Sequence, residues 1–323
     1  MQRRFLSLLG AAALTIAAPL ALVHPASAQL TLTLAGTAGG FSLSTFADSF
    51  PTVGGGTTAI GPLGIAFNNG HVVVSDYPGN VRIFPADTDG QHASSVPAAH
   101  NYGQGQAVGL GSVGNILYMT SQSGNSVSQI DGSGQFVQNI VSNANATGII
   151  ANPANGHLFV SSGSNIFDVD PLNKTSVLFN NAPADGLSTD GTNLYASISS
   201  TRVLGYNIAT KAQIFDSGVI STVDGTALGF GSLAGNIFAN TNDGRFVEIN
   251  LATSAQTVLA TGGSRGDFVT VDPNGTLLIT QSDSIVRLTA TGGGFIQTPE
   301  PGSIALLVSV GISGGLLLKR RRK

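Results

Sequence analysis

Between residues 60 and 290 the apolar positions fall into short runs, broken by Gly, Asn, Asp, Ser and Pro. Short apolar runs of Val, Ile, Leu and Phe between such turn residues suggest many short strands joined by tight turns. Six stretches share one plan: GIAFNNGHVVVSD from Gly64, AVGLGSVGNILYMTS from Ala107, TGIIANPANGHLFVSS from Thr147, DGLSTDGTNLYAS from Asp185, TALGFGSLAGNIFANT from Thr226 and DFVTVDPNGTLLITQ from Asp267. Each reads as a strand, a turn containing Gly, and a second strand. The turn glycines are Gly70, Gly114, Gly156, Gly191, Gly235 and Gly275, at intervals of 44, 42, 35, 44 and 40 residues. A tight hairpin needs a residue that accepts positive φ, and Asn-Gly or Gly-Asn pairs do so with least strain. A third strand follows in every repeat (VRIF, VSQI, IFDV, VLGYNI, FVEI, IVRL), and a weaker fourth is visible in FVQNIV, TSVLF, AQIF and QTVLA. No part of 29–298 shows sustained helical periodicity.

Four antiparallel strands recurring at a period near 40 make one blade of a β-propeller. Repeats starting near 60, 104, 145, 183, 224 and 264 predict an all-β, six-bladed ring. The sixth repeat lacks a convincing fourth strand, while LTLTLAG from Leu30 and FSLSTF from Phe41 precede the first. The segment 30–50 is therefore expected to complete the last blade and close the ring, hiding edges that an open stack would expose. A β-helix or sandwich is the alternative, with shorter or less regular repeats. GIAFNNGHVVVSD and DFVTVDPNGTLLITQSD resemble blades of the NHL-type and gluconolactonase-type six-bladed propellers. That resemblance implies architecture, since function resides in sites and not in folds.

The two ends carry different patterns. Arg3 and Arg4, an apolar run from Phe5 to Val23 and Ala26-Ser27-Ala28 have the form of a secretory signal peptide over 1–28, cleaved by signal peptidase after Ala28. An uncleaved N-terminal anchor is the alternative. At the other end, 299–323, Pro299-Glu300-Pro301 precedes an apolar stretch from Ile304 to Leu318 and the cations Lys319, Arg320, Arg321, Arg322 and Lys323. The apolar stretch is shorter than the ~20 residues of an ordinary spanning helix but long enough when flanked by anchors. Its positive flank is expected to stay cytoplasmic. Motif, apolar helix and basic tail in this order resemble the PEP-CTERM sorting signal of bacterial surface proteins. The resemblance implies an exosortase that recognises and removes the signal. The chain would be exported, held transiently by a single transmembrane helix in the cytoplasmic membrane, and then placed at the cell surface or in the extracellular matrix. A permanent C-terminal anchor is the plainer reading of the same residues.

Removing Arg3, Arg4 and the five terminal cations leaves 7 basic against 16 acidic residues in 29–298, a body of formal charge −9. Such a field argues against nucleic acid, whose phosphates need clustered Lys and Arg. The absence of Cys excludes disulfides and thiolate chemistry. Asp185, Asp224 and Asp267 stand just before the predicted innermost strands of repeats four, five and six. Converging at one end of the channel they could hold a hard cation such as Ca²⁺, which takes oxygen ligands. The other reading is that each Asp before Gly stabilises its own loop. Gluconolactonase-type enzymes would need a Glu at the start of the first blade, an Asn in a middle blade and a later Asp on one metal. Here the first blade begins Gly61-Pro62-Leu63-Gly64, which leaves only a variant site of Asp residues and Asn152. His71 and His157 occupy one repeat position and read as structural twins, and His92 and His100 fall in an irregular loop after the first blade. No nucleophile elbow, H-E-x-x-H or phosphate loop is present. Two functions follow as expectations. The first is a non-catalytic binding or scaffold protein linked to extracellular polysaccharide or matrix proteins. The second is a metal-assisted hydrolase or lactonase acting at the channel mouth.

Overall fold

The computed structural model describes residues 28–295. Six antiparallel sheets follow one another along the chain as blades one to six. In blade four the order from the axis outward is Ala184–Thr189, Asn193–Ile198, Arg202–Asn207 and Gln213–Asp216. The other blades repeat this meander. The glycines at the first hairpin all have positive φ, for example +81° at Gly70 and +89° at Gly275, as the turn requires.

Both faces of each blade are covered, so successive residues of one strand serve opposite neighbours. Leu194, Ala196 and Ile198 pack against Phe159 and Ile166 of blade three, while Tyr195 between them packs toward Val223 and Ile237 of blade five. The core is accordingly six clusters, one at each junction between blades. Largest of the fully buried side chains are phenylalanines such as Phe46, Phe84, Phe159 and Phe238.

Blade six takes three strands from the C-terminal side, Val269–Val271, Leu277–Thr280 and Ile285–Ala290, and its fourth from Phe41–Asp48. Only that part of 30–50 joins the last blade. Thr31–Leu32 pairs instead with Gln256–Thr261 at the outer edge of blade five. Leu34–Ala38, in the leftover of LTLTLAG, makes a single helical turn capped by Thr33, whose hydroxyl accepts from the Gly36 amide at 3.1 Å. The closing strand is clasped by an insertion of blade one. Gln91–His92 pairs parallel with Ala47 and Asp48. Arg287, buried on blade six, binds Asp87 and Asp89 of that insertion and Asp272 of its own blade.

Two sequence expectations change here. His92 and His100 are not in loose loop: His92 lies in the parallel pairing, and His100 in Ala98–Asn101, the outermost strand of blade one. That strand was illegible because an edge strand facing solvent needs no apolar alternation. The expected signal helix and the apolar tail helix lie outside the described residues. Among the described residues no helix is long and apolar enough to cross a membrane.

Candidate functional site

The innermost strands all start at the same end of the channel, and each brings one side chain to its rim. In blade order these are Leu63, Val108, Thr147, Asp185, Asp224 and Asp267, which together line a cavity of about 120 Å³. Ile60, Tyr77, Gln122, Arg265 and Phe268 complete its wall. Below it the shaft widens to a cavity of about 190 Å³ walled mainly by apolar residues such as Ile149, Leu187, Leu228 and Val269.

Glycine sets the bore. Five of the six rim residues are followed by Gly64, Gly109, Gly148, Gly186 or Gly225. A Cβ on Gly148 would lie 1.9 Å from the Asp185 carbonyl oxygen, and one on Gly186 would lie 2.2 Å from that of Asp224. No side chain fits between strands so close to the axis. In five of the six blades the second strand then supplies a hydroxyl that ties the junction. Ser75 accepts from the Gly64 amide at 3.0 Å and donates to the Val108 carbonyl at 2.7 Å. Thr120, Ser161 and Ser197 accept likewise from Gly109, Gly148 and Gly186. In blade five Asn240 replaces the hydroxyl and donates to the Thr280 carbonyl at 2.8 Å. The sequence carried a signal for this device, a Gly after the rim residue and a Ser or Thr in the next strand, but only as a faint repeat.

The three carboxylates do share this mouth, and each is perturbed by the same cause. Asp224 is buried, and removal from water raises its pKa well above the usual carboxylate range, with Asp185 and Asp267 adding like-charge repulsion. Burial also raises Asp185, to about 6, assisted by the charge of Asp267 and opposed by the Thr147 hydroxyl and Arg265. Asp267 is raised by burial and held back by Arg265. Asp224 adjoins Asp267, and each carboxyl group influences the protonation of the other. Asn242 donates to Asp224 Oδ2 at 3.0 Å, while Asp224 Oδ1 is buried with no hydrogen-bond donor among the described residues.

The cation at this mouth is Arg265, a residue the sequence reading passed over. Its Nε and Nη2 donate to Asp267 Oδ1 at 2.8 and 2.5 Å, and its charge reaches Asp185 and Asp224. Among the described residues no group of three or more His, Asp or Glu side chains is arranged to hold a metal ion. Of the three carboxylates that could hold Ca²⁺, Asp267 is engaged by a guanidinium and Asp224 by an amide. Asn152 does not complete a variant site either. It follows the far end of Ala146–Ala151, whose near end carries Thr147, and its side chain caps a turn by accepting from the Ala154 amide at 3.0 Å. Of the expected twins, His157 bonds Asp168 at 2.8 Å on the flank of blade three, away from the channel.

Known structures share this arrangement of blades. A gluconolactonase from Xanthomonas campestris superposes with a TM-score of 0.63 at 14% identity, covering 82% of this chain and 98% of that one. In fold the body resembles a gluconolactonase-type six-bladed propeller. A second putative gluconolactonase gives a TM-score of 0.61 at 15% identity, over 83% of this chain and 100% of its own. An auxiliary nutrient binding protein from Bacteroides thetaiotaomicron gives 0.57 at 12% identity, over 79% and 77%. At such identities the likeness is one of fold alone. No family model and no curated protein matches the sequence.

Proposed function

We propose that this chain is an exported, exosortase-sorted β-propeller of the cell surface or extracellular matrix that binds or scaffolds polysaccharide without turning it over. The observation that carries the binding half is Arg265 among the three rim carboxylates. A guanidinium fixed there supplies the positive charge that a catalytic metal would otherwise bring, and it cannot leave. Carboxyl groups, an amide (Gln122), a guanidinium and an aromatic ring (Tyr77) around one small mouth are the groups that hold sugar hydroxyls. The sorting half rests on Pro299-Glu300-Pro301, the apolar stretch and the terminal cations. The structural neighbours include both enzymes and a binding protein, so the fold does not choose between them.

The test has two arms. Replacing Pro299, Glu300 and Pro301 with alanine is expected to leave the protein in the cytoplasmic membrane with its tail intact, read by mass spectrometry of the C-terminal peptide. Normal amounts of tail-free protein would sink the sorting half. The purified mature propeller is expected to be retained on extracellular polysaccharide, with retention weakened roughly tenfold by Asp185→Asn, the loss of one good contact. The second reading, a metal-assisted lactonase, is favoured by the convergence of three carboxylates on one cavity. Lactone turnover that is abolished by a chelator and by Asp185→Asn would replace the binding reading with it.

A further inference from the structure

The direction of the strands fixes which face of the ring each end of the chain leaves from. The innermost strand of blade five, Val223–Leu228, starts at the acidic rim and ends at the opposite face, where the turn Gly231–Leu233 leads into the second strand. The last described residues are fastened to that opposite face. The Phe230 amide donates to the Gly294 carbonyl at 2.6 Å, and Ser232 donates to the Gly293 carbonyl at 3.2 Å. Phe295 is fully buried, its ring edge-on to Phe238 at 5.1 Å. From Phe295 to Ile304, where the apolar stretch begins, is nine residues, at most about 32 Å of extended chain. The other terminus begins on the acidic side: Gln29 adjoins Gly262, and Ala28, Gln29 and Leu30 share a cavity with Gln281, Asp283 and Ser284 of the rim-side turn of blade six.

We propose that the chain is tethered through the face opposite its acidic mouth, so that the mouth is presented away from the anchoring membrane. This rests on the reading of 299–323 as a membrane-seeking tail. The reason is mechanical: the chain leaves a buried Phe295 on that face and reaches the apolar stretch within nine residues, so the face nearest the tail lies toward the membrane. An N-terminal anchor would impose the reverse orientation, because residues 28–30 start from the rim side. The arrangement also gives Phe295 a role beyond packing, as the clamp that passes the tail's position to the propeller.

The natural chain has no Cys, so single substitutions carry a label without background. Gln104→Cys lies exposed on the rim side, beside the turn that follows blade one, and Ala252→Cys lies exposed on the opposite side, in the turn before Gln256–Thr261. Each full-length variant, labelled with a fluorophore, is bound to vesicles of phosphatidylethanolamine and phosphatidylglycerol containing a headgroup-nitroxide lipid. The expected result is flotation with the vesicles and quenching several-fold stronger at position 252 than at 104. Flotation with equal quenching, or with stronger quenching at 104, overturns the orientation and leaves the tail reading standing. Failure to float, or equal flotation of a chain truncated before Pro299, overturns the tail reading and this proposal with it.

Discussion

The two halves of the channel mouth occupy the same repeat position and do opposite chemistry. In blades one to three the rim residues are Leu63, Val108 and Thr147, and in blades four to six they are Asp185, Asp224 and Asp267. The backbone beneath them is alike on both sides: in five of the six blades a glycine pressed against the next blade, and in most a hydroxyl closing the junction. Scaffold and chemistry are thus separated by one residue. The glycine is set by the geometry of the ring, whereas its predecessor points into the mouth and is free to be apolar or acidic. The acidic half carries a cost that the apolar half does not, since three carboxyl groups sit in a small, poorly hydrated space.

The largest effect is expected where both halves rely on the same feature. Gly148→Val drives a side chain into the Asp185 carbonyl and should cost roughly 3 kcal/mol or more, read as a lowered midpoint in chemical denaturation. Next, Arg265→Ala leaves Asp267 buried without its ion pair and should cost about 2 kcal/mol near neutral pH. Its cost should shrink in acid, as Asp267 takes up a proton; a loss independent of pH would mean that the guanidinium acts only by packing. Ser161→Ala and Ser197→Ala each strip a buried glycine amide of its hydroxyl acceptor, for about 1.5 kcal/mol apiece. Equal losses would confirm that the junction device is indifferent to what stands on the rim, and clearly unequal ones would break the comparison.

Smaller effects separate the halves by titration. The folded-state pKa of Asp185 is raised from 3.8 to about 6, so the folded protein binds this proton more tightly than the unfolded chain does. Its contribution is fully present below about pH 4, is lost as pH rises through 6, and does not change above that. Asp185→Asn should therefore flatten the fall in stability across that window, while Leu63→Ala on the apolar side should lower stability by the same amount at every pH. Adding millimolar Ca²⁺ should move the melting temperature by no more than roughly 1 °C, because Arg265 and Asn242 already engage two of the three carboxylates. A shift of several degrees would return the mouth to the cation-binding reading.

Blade count, the strands of the repeats and the hairpin glycines were legible because each is a local demand repeated six times, and repetition averages away the exceptions. Asp185, Asp224 and Asp267 could be singled out for the same reason, as odd residues at a repeated position. The outermost strand of blade one was hidden, since Ala98–Asn101 faces solvent and its pairing with Asn80–Phe84 leaves no mark in hydrophobicity. So was the division of 30–50, where Thr31–Leu32 serves blade five and Phe41–Asp48 serves blade six.

By itself, then, the sequence determined a ring of six four-stranded units, an acidic body and two ends unlike the middle, because composition and period are properties of the chain alone. Only the tertiary structure decided that Arg265 stands among the rim carboxylates, that Asn152 lies at the other end of its strand, and that Phe295 leaves from the face opposite the mouth. Those are relations between residues far apart along the chain or between the two ends of one strand. They follow from the direction in which each strand crosses the ring, which no local pattern of side chains encodes.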